Sequence, residues 1–321
     1  MKVDEAPAAA DAPVPPPIKS ARQIRWVRRR KALGRIWATY RRNPLGMIGL
    51  VVLIFFVGVA TYSVFMDKSQ LQKTYVTEES IAPCTFATLP CPPSPNNPLG
   101  TDKDGRSVLA LVIEGSRVSL MVGLTASVIA MVVGSAIGIL AGYIGRWPDS
   151  VLMRFTDFFL VIPWLALAIV LASIFGQNLV VLIAIIGFTS WPGTARLVRA
   201  QTLSVREHLF VERSRALGAS NSQVVLRHLL PNVMPVIFAN TILTVAIAIL
   251  SESSLSFLGL GDPRRITWGT MIDAAFDAGA ISIGAWWWLM APSLCIVLVV
   301  LAFTLCGYAL DEIINPRMRE R

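Results

Sequence analysis

Residues 45–66 contain no Asp, Glu, Lys or Arg. A helix rises about 1.5 Å per residue, so this stretch reaches about 33 Å, enough to cross a hydrocarbon layer of roughly 30 Å. Charge-free blocks recur at 118–145, 158–195, 228–251 and 289–310. The block 158–195 is too long for one span, and Gly176-Gln177-Asn178 divides it into two of suitable length. A charge at mid-helix costs about 2.5–3.5 kcal/mol on insertion. Six nearly charge-free blocks therefore predict an all-α membrane protein with six transmembrane helices. With 54% hydrophobic residues and a mean hydropathy of +0.60, a soluble protein with deeply buried helices is a poor alternative.

The basic residues orient these spans. If the N-terminus lies inside, the inner segments are 1–44, 143–155, 196–232 and 311–321, and they hold 22 of the 29 Lys and Arg. By the positive-inside rule, both termini are expected in the cytoplasm. The net charge of +9 then reflects topology and contact with an anionic bilayer, and no nucleic-acid module interrupts the spans.

The expected organisation follows. Residues 1–44 form an Ala/Pro-rich disordered tail (1–17) and a basic interfacial helix (19–42), both cytoplasmic. Residues 45–66 are the first span, and 67–117 an extracytoplasmic segment. Residues 118–310 are a five-helix core with an inner loop at 196–232, and 311–321 a cytoplasmic tail. A cleaved signal peptide is disfavoured, because the first apolar run is too long and no small-residue cleavage site follows it. Gly134, Gly138 and Gly142 recur every fourth residue, with Gly123 in the same span, a pattern that admits close helix approach. Trp286, Trp287 and Trp288 are expected as an interfacial belt before the last span.

Several chemistries are excluded. No Gly-Lys pair exists, so the chain lacks a Walker-type phosphate cradle. His208 and His228 are the only histidines, which argues against a metalloprotease or a His-based hydrolase, and no metal site is expected. Asp102-x-Asp104-Gly105 does not fit a calcium loop, since its Gly is misplaced and no closing Glu follows; turn formation and capping of a helix starting near Ser107 is the local expectation. Cys84 and Cys91 share the outer segment and are disulfide candidates, while Cys295 and Cys306 are packing residues of the last span. The spans lack the ionisable pairs typical of ion-coupled transport, so any energy must come from a partner.

The inner loop is unusual: it is long, carries six arginines and has helical character. It contains Phe210-Val-Glu212, Arg215-Ala-Leu-Gly218-Ala-Ser220 and Arg227-His-Leu-Leu-Pro231-Asn232. This order resembles the EAA loop of binding-protein-dependent ABC importer permeases, in the oligopeptide/dipeptide/nickel branch. Asn97-Pro-Leu-Gly-Thr-Asp-x-x-Gly-Arg106 and Glu252-x-x-Leu-Ser-Phe-Leu-Gly-Leu-Gly261 match the same branch, and the resemblance covers roughly 40–318. The chain departs from the pattern in three places. Arg213 and Ser214 replace two alanines, Asn97 stands where His is usual, and 67–96 with its cysteine pair is an addition.

The resemblance implies a C-type permease with the type I ABC importer fold, forming half of a peptide-translocating pore. It implies a second homologous permease subunit, two cytoplasmic ATPase subunits that use ATP and Mg, and an extracytoplasmic substrate-binding protein. The chain itself would bind no cofactor and catalyse no reaction. Glu212, Arg213, Arg215, Ala216, Gly218 and Pro231 would form the ATPase-coupling surface. Physically, two short helices broken at Gly218 can make a knob that fits a groove on a soluble partner. Glu252 has two readings, contact with substrate in the path or capping of an outer-loop element. The cargo alternatives are nickel chelates and haem-like molecules; the rival class is a non-ATP-driven channel or secondary transporter.

Overall fold

The computed structural model describes residue 34 and residues 37–72 and 76–314. The expected tail at 1–17, most of the basic helix at 19–42 and residues 315–321 lie outside the described residues. Among the described residues the regular secondary structure is helical, apart from an isolated bridge between Thr101 and Ser107, and most of 82–107 is irregular. The principal helices are α1 (Pro44–Phe65), α2 (Val108–Ile144), α3 (Arg146–Val161), α4 (Trp164–Phe175) and α5 (Leu179–Arg206). They are followed by α6 (Leu209–Ala216), α7 (Asn221–Leu260), α8 (Trp268–Asp277) and α9 (Trp286–Ile314). Five of them, α1, α2, α5, α7 and α9, are long and apolar enough to cross a membrane; α3 and α4 make a sixth span if taken together.

The first of the two spans expected within 158–195 is not a single helix but a bent pair. α3 and α4 meet at an angle of 85°. The cause is Pro163: a residue before proline is pushed out of the helical region, and Ile162 sits at φ −71°, ψ 125°. Pro163 also lacks the N–H that would continue the α3 ladder. At 12 residues, α4 is about 18 Å long and does not cross alone. The expected break at Gly176 is present, with Asn178 capping α5 by accepting from the Val180 amide at 2.9 Å.

Hydrophobicity marked the membrane but not the helix ends. α5 continues past Ala195 to Arg206, and α7 begins at Asn221, well before the apolar block at 228. α2 spans 37 residues, about 55 Å, and extends beyond a bilayer core. Its N-cap Ser107 makes no side-chain cap bond; Asp102 instead orders the turn ahead of it.

α2 and α5 are the most closely packed helix pair, and the glycines explain why. A Cβ on Gly134 would lie 2.7 Å from the Thr194 Cβ, on Gly138 2.5 Å from the Ala195 carbonyl oxygen, and on Gly142 2.9 Å from the Thr202 Cβ. Gly123 meets Ile249 of α7 in the same way. α1 leans on α9 through Gly46 and Gly49, where a Cβ would reach the Ala309 Cβ at 2.6 Å and the Ala302 carbonyl at 2.7 Å. Elsewhere α1 turns Leu45, Ile48, Val51, Ile54 and Phe55 outward, as a lipid-facing helix does.

The tryptophan belt also needs correction. Only Trp286 of the three is largely exposed. Trp288 is buried in a cluster with Phe56, Trp268 and Val299, and the Trp287 indole N–H donates to the Thr101 carbonyl at 3.3 Å. These rings close the outer segment onto the start of α9.

Candidate coupling site

α6 sits between the ends of α5 and α7. Val211, its one buried residue, is wholly enclosed and joins Ile139, Val198, Val205, Val224, Leu229 and Val233 in one cluster. Each such side chain contributes about 1.5–3 kcal/mol against exposure to water. The His208 ring, held by Nδ1 at 2.9 Å from the Ser204 carbonyl, lies 5.5 Å from Phe210, which in turn lies 6.0 Å from His228.

Gly218 ends α6 at φ +83°, in the left-handed region that costs a side-chain-bearing residue about 1–2 kcal/mol. Its N–H bonds the Arg215 carbonyl at 2.9 Å, and the Ala219 N–H bonds Ser214 at 3.1 Å. Ser220 then starts α7 with a reciprocal cap: Gln223 N–H to the Ser220 hydroxyl at 3.3 Å, Ser220 N–H to the Gln223 amide oxygen at 3.1 Å. The expected break at Gly218 forms after one short helix, α6, but the second helix is the start of the 40-residue α7 rather than a second short one.

The knob is braced to the spans. The Tyr143 hydroxyl at the end of α2 donates to the Asn221 side chain at 2.7 Å. The Arg215 guanidinium lies over the Tyr143 ring, 4.9 Å from its centre. Arg206 donates to the Gly142 carbonyl at 3.0 Å, and Arg199 grips Asp149 of α3 in a two-pronged pair at 2.5 and 2.7 Å. Of the six loop arginines, Arg199 and Arg206 thus serve internal bonds, as does Arg196, which pairs with Asp157 of α3, and Arg215 is part of the brace.

What remains outward is the far face of α6 and its tip. Glu212, Arg213, Ala216, Gly218 and Pro231 are exposed, and among the described residues neither Glu212 nor Arg213 is in an ion pair. Two residues not singled out from the sequence join them: Leu217, 88% exposed at the tip, and Leu209 at the other end. Apolar residues between charges on a water-facing turn were the available signal. A cleft of 640 Å³ runs beside α6, lined by Glu207, Leu209, Phe210 and Arg213 among others.

Two family models match this chain. Residues 134–320 match the binding-protein-dependent transport system inner membrane component, and residues 32–75 match the N-terminal transmembrane domain of oligopeptide transport permease C. The chain belongs to the first family. The permease is 34% identical over 284 residues to the dipeptide transport system permease protein DppC of Bacillus subtilis, covering 88% of this chain and 85% of that one. A putative peptide permease of Brucella suis is 38% identical over 226 residues, covering 70% and 74%. A chain of the methionine ABC transporter MetNI in inward-facing conformations superposes with a TM-score of 0.51 at 20% identity, covering 65% of this chain and 96% of that one. The permease is accordingly a multi-pass inner membrane protein with the type I importer fold.

The other predicted residues of the permease lie elsewhere. Glu252 is wholly buried inside the chain rather than on an open surface. Its carboxyl accepts from Ser256 at 2.8 Å, Ser119 at 3.3 Å and Ser253 at 3.4 Å, while the Ser119 hydroxyl also accepts from the Trp268 amide at 3.2 Å. It ties α7 to α2 and to the start of α8. The glycines of the same motif region serve that packing: a Cβ on Gly261 would strike the Ser256 hydroxyl at 2.7 Å, and one on Gly269 the Ser253 Cα at 2.8 Å.

The outer motif is an interlocked turn. Asn97 donates to the Ser80 carbonyl at 2.8 Å, and Gly100, at φ +70°, lets the chain pass against the Trp287 ring. Asp102 accepts from the Asp104 and Arg106 amides at 2.9 and 2.8 Å and pairs with the Arg106 guanidinium at 2.7 Å. Burial lifts its carboxyl above the usual range against the pull of Arg106. Cys91 is buried, bonds Thr101 by its amide at 2.8 Å, and lies beside Cys84; both are thiols in this structure. Among the described residues no group of three or more His, Cys, Asp or Glu could hold a metal ion.

Proposed function

We propose that this permease forms one half of the translocation path of an ATP-driven importer that takes up peptides. The observation that carries the reading is the outward face of α6. An exposed leucine beside Glu212 and Arg213, neither in an ion pair among the described residues, on a support fixed by a buried cluster, is a surface that a soluble partner covers. Because Val211, Tyr143 and Arg215 join the knob to α2, α5 and α7, a displacement of α6 is passed to the spans as a rigid push.

The partners in this reading are two cytoplasmic ATPase subunits, which hold ATP and Mg, a second related permease subunit, and a substrate-binding protein outside. The knob side is the side of the Lys/Arg excess, and in this reading that charge bias supports a cytoplasmic knob and cytoplasmic termini. Closure of the ATPases on ATP would open the path outward, and release after hydrolysis would open it inward. The chain contributes no catalytic group. Peptide cargo is supported by the dipeptide and peptide permeases named among its relatives. The test is affinity purification of the permease from its own membrane. The ATPases should come with it, and Leu217→Asp should lower their recovery at least tenfold; undiminished recovery would remove α6 from the joint.

A further inference from the structure

At mid-height of α5 and α7, facing the α3–α4 elbow at Leu160 and Trp164, lies a cavity of 430 Å³. Seven of its thirteen lining residues carry a hydroxyl or an amide, and none carries a charge. Some of these groups are already engaged: the Asn240 amide donates to the Thr194 hydroxyl at 3.0 Å, and Thr244 bonds the Asn240 carbonyl at 2.9 Å. Others are not. Ser251 is only 4% exposed and lines the cavity, and among the described residues neither its hydroxyl nor that of Ser190 forms a hydrogen bond to another group.

The hollow mixes seven hydroxyl or amide residues with apolar ones such as Leu160, Trp164, Ile247 and Leu250, a composition that suits a wall covered by protein and water better than one facing lipid alone. The first charged residues along α3 and α5 towards the coupling loop are Asp157 and Arg196, and they neutralise each other at 2.5 Å.

We propose that this cavity is a subsite of the translocation path that takes the uncharged amide groups of a peptide through the free hydroxyls of Ser190 and Ser251. The inference rests on the reading of the chain as a peptide importer. A hydroxyl both donates and accepts, so it meets an N–H or a C=O in either orientation. Every peptide bond offers both groups, whatever its side chains. A wall without charge neither attracts nor repels charged side chains, so the subsite passes peptides by their backbone and leaves side-chain selection to other parts of the transporter.

The test uses the assembled transporter in proteoliposomes, with alanyl-alanine, lysyl-alanine and glutamyl-alanine as probes. Ser190→Asp should shift the ratio of lysyl-alanine to glutamyl-alanine uptake at least tenfold in favour of the cation, and Ser190→Asn should leave that ratio unchanged. Ser251→Ala should lower uptake of all three several-fold in common. If Ser190→Asp lowers all three alike while ATP hydrolysis is still stimulated by the binding protein, the second permease subunit fills the cavity and the proposal fails. If Ser190→Asp does not assemble, Ser254→Asp at the exposed rim of the cavity makes the same comparison. If the unaltered transporter moves none of the three probes, the peptide reading falls, and this inference with it.

Discussion

Replacing Glu252 with Ala should destabilise the permease by roughly 2–4 kcal/mol. The figure comes from two losses. The carboxyl is the acceptor for the hydroxyls of Ser119, Ser253 and Ser256, and an orphaned buried donor costs about 1–3 kcal/mol. Ser253 and Ser256 sit in helical backbone and can turn to a carbonyl four residues back, so the full penalty falls mainly on Ser119. Truncation also opens a void of about 50 Å³, worth about 1 kcal/mol at roughly 24 cal/mol per Å³. Glu252→Gln keeps the shape and one oxygen, and should cost about 1 kcal/mol. Thermal unfolding of the purified complex reads the difference; at about 2 °C per kcal/mol for a chain of this size, Glu252→Ala should melt about 4–8 °C early. A Glu252→Ala protein that melts with the unaltered one, but has lost uptake of peptides with a free amino terminus, would refute the structural role and put the carboxyl in the path.

Other expectations follow from the packing. Gly138→Ala should cost about 1–3 kcal/mol, because its Cβ would press on the Ala195 backbone, whereas Gly58→Ala on the open side of α1 should change stability by less than about 1 kcal/mol; melting of the two variants side by side checks this. Cys84 and Cys91, if the segment faces an oxidising compartment, should exchange with a protein dithiol oxidase into a disulfide, seen by intact mass as the loss of two hydrogens; persistence of both thiols in protein taken directly from the membrane would contradict it. In the reduced protein Cys91, pushed up to about 11 by burial and by the sulfur beside it, stays a thiol at neutral pH. It should therefore react slowly with a maleimide until the pH approaches that value; fast labelling at pH 7 would refute the burial.

Much of this architecture was legible in residue order, for identifiable reasons. Charge-free blocks located the spans, since insertion energetics act on composition alone. Gly218 announced the break in the knob, because no other residue type takes a positive φ so cheaply. What escaped notice depended on geometry between distant segments. Pro163 sits inside an apolar block and has no hydropathy signature, yet it turns one span into an 85° elbow. Trp287 and Trp288 look like interfacial anchors until Thr101 and the α8 cluster are folded against them. The division of the loop arginines into braces and free charges required knowing that Asp149, Gly142 and Tyr143 lie beside them. Leu217 became informative only once its neighbours Val211 and Val224 were seen to be buried.

The claim that energy enters through α6 is tested most directly by the number of peptides taken up per ATP hydrolysed in proteoliposomes carrying Gly218→Asp. Nothing lies within 4 Å of a Cβ at this position, and Asp tolerates the left-handed conformation better than most residues, so the fold should survive at a cost of about 1 kcal/mol. The added carboxylate would stand at the tip beside Leu217, where the partner is expected to seat. ATP hydrolysis should continue while uptake falls at least tenfold. A peptide-to-ATP ratio equal to that of the unaltered transporter would contradict it.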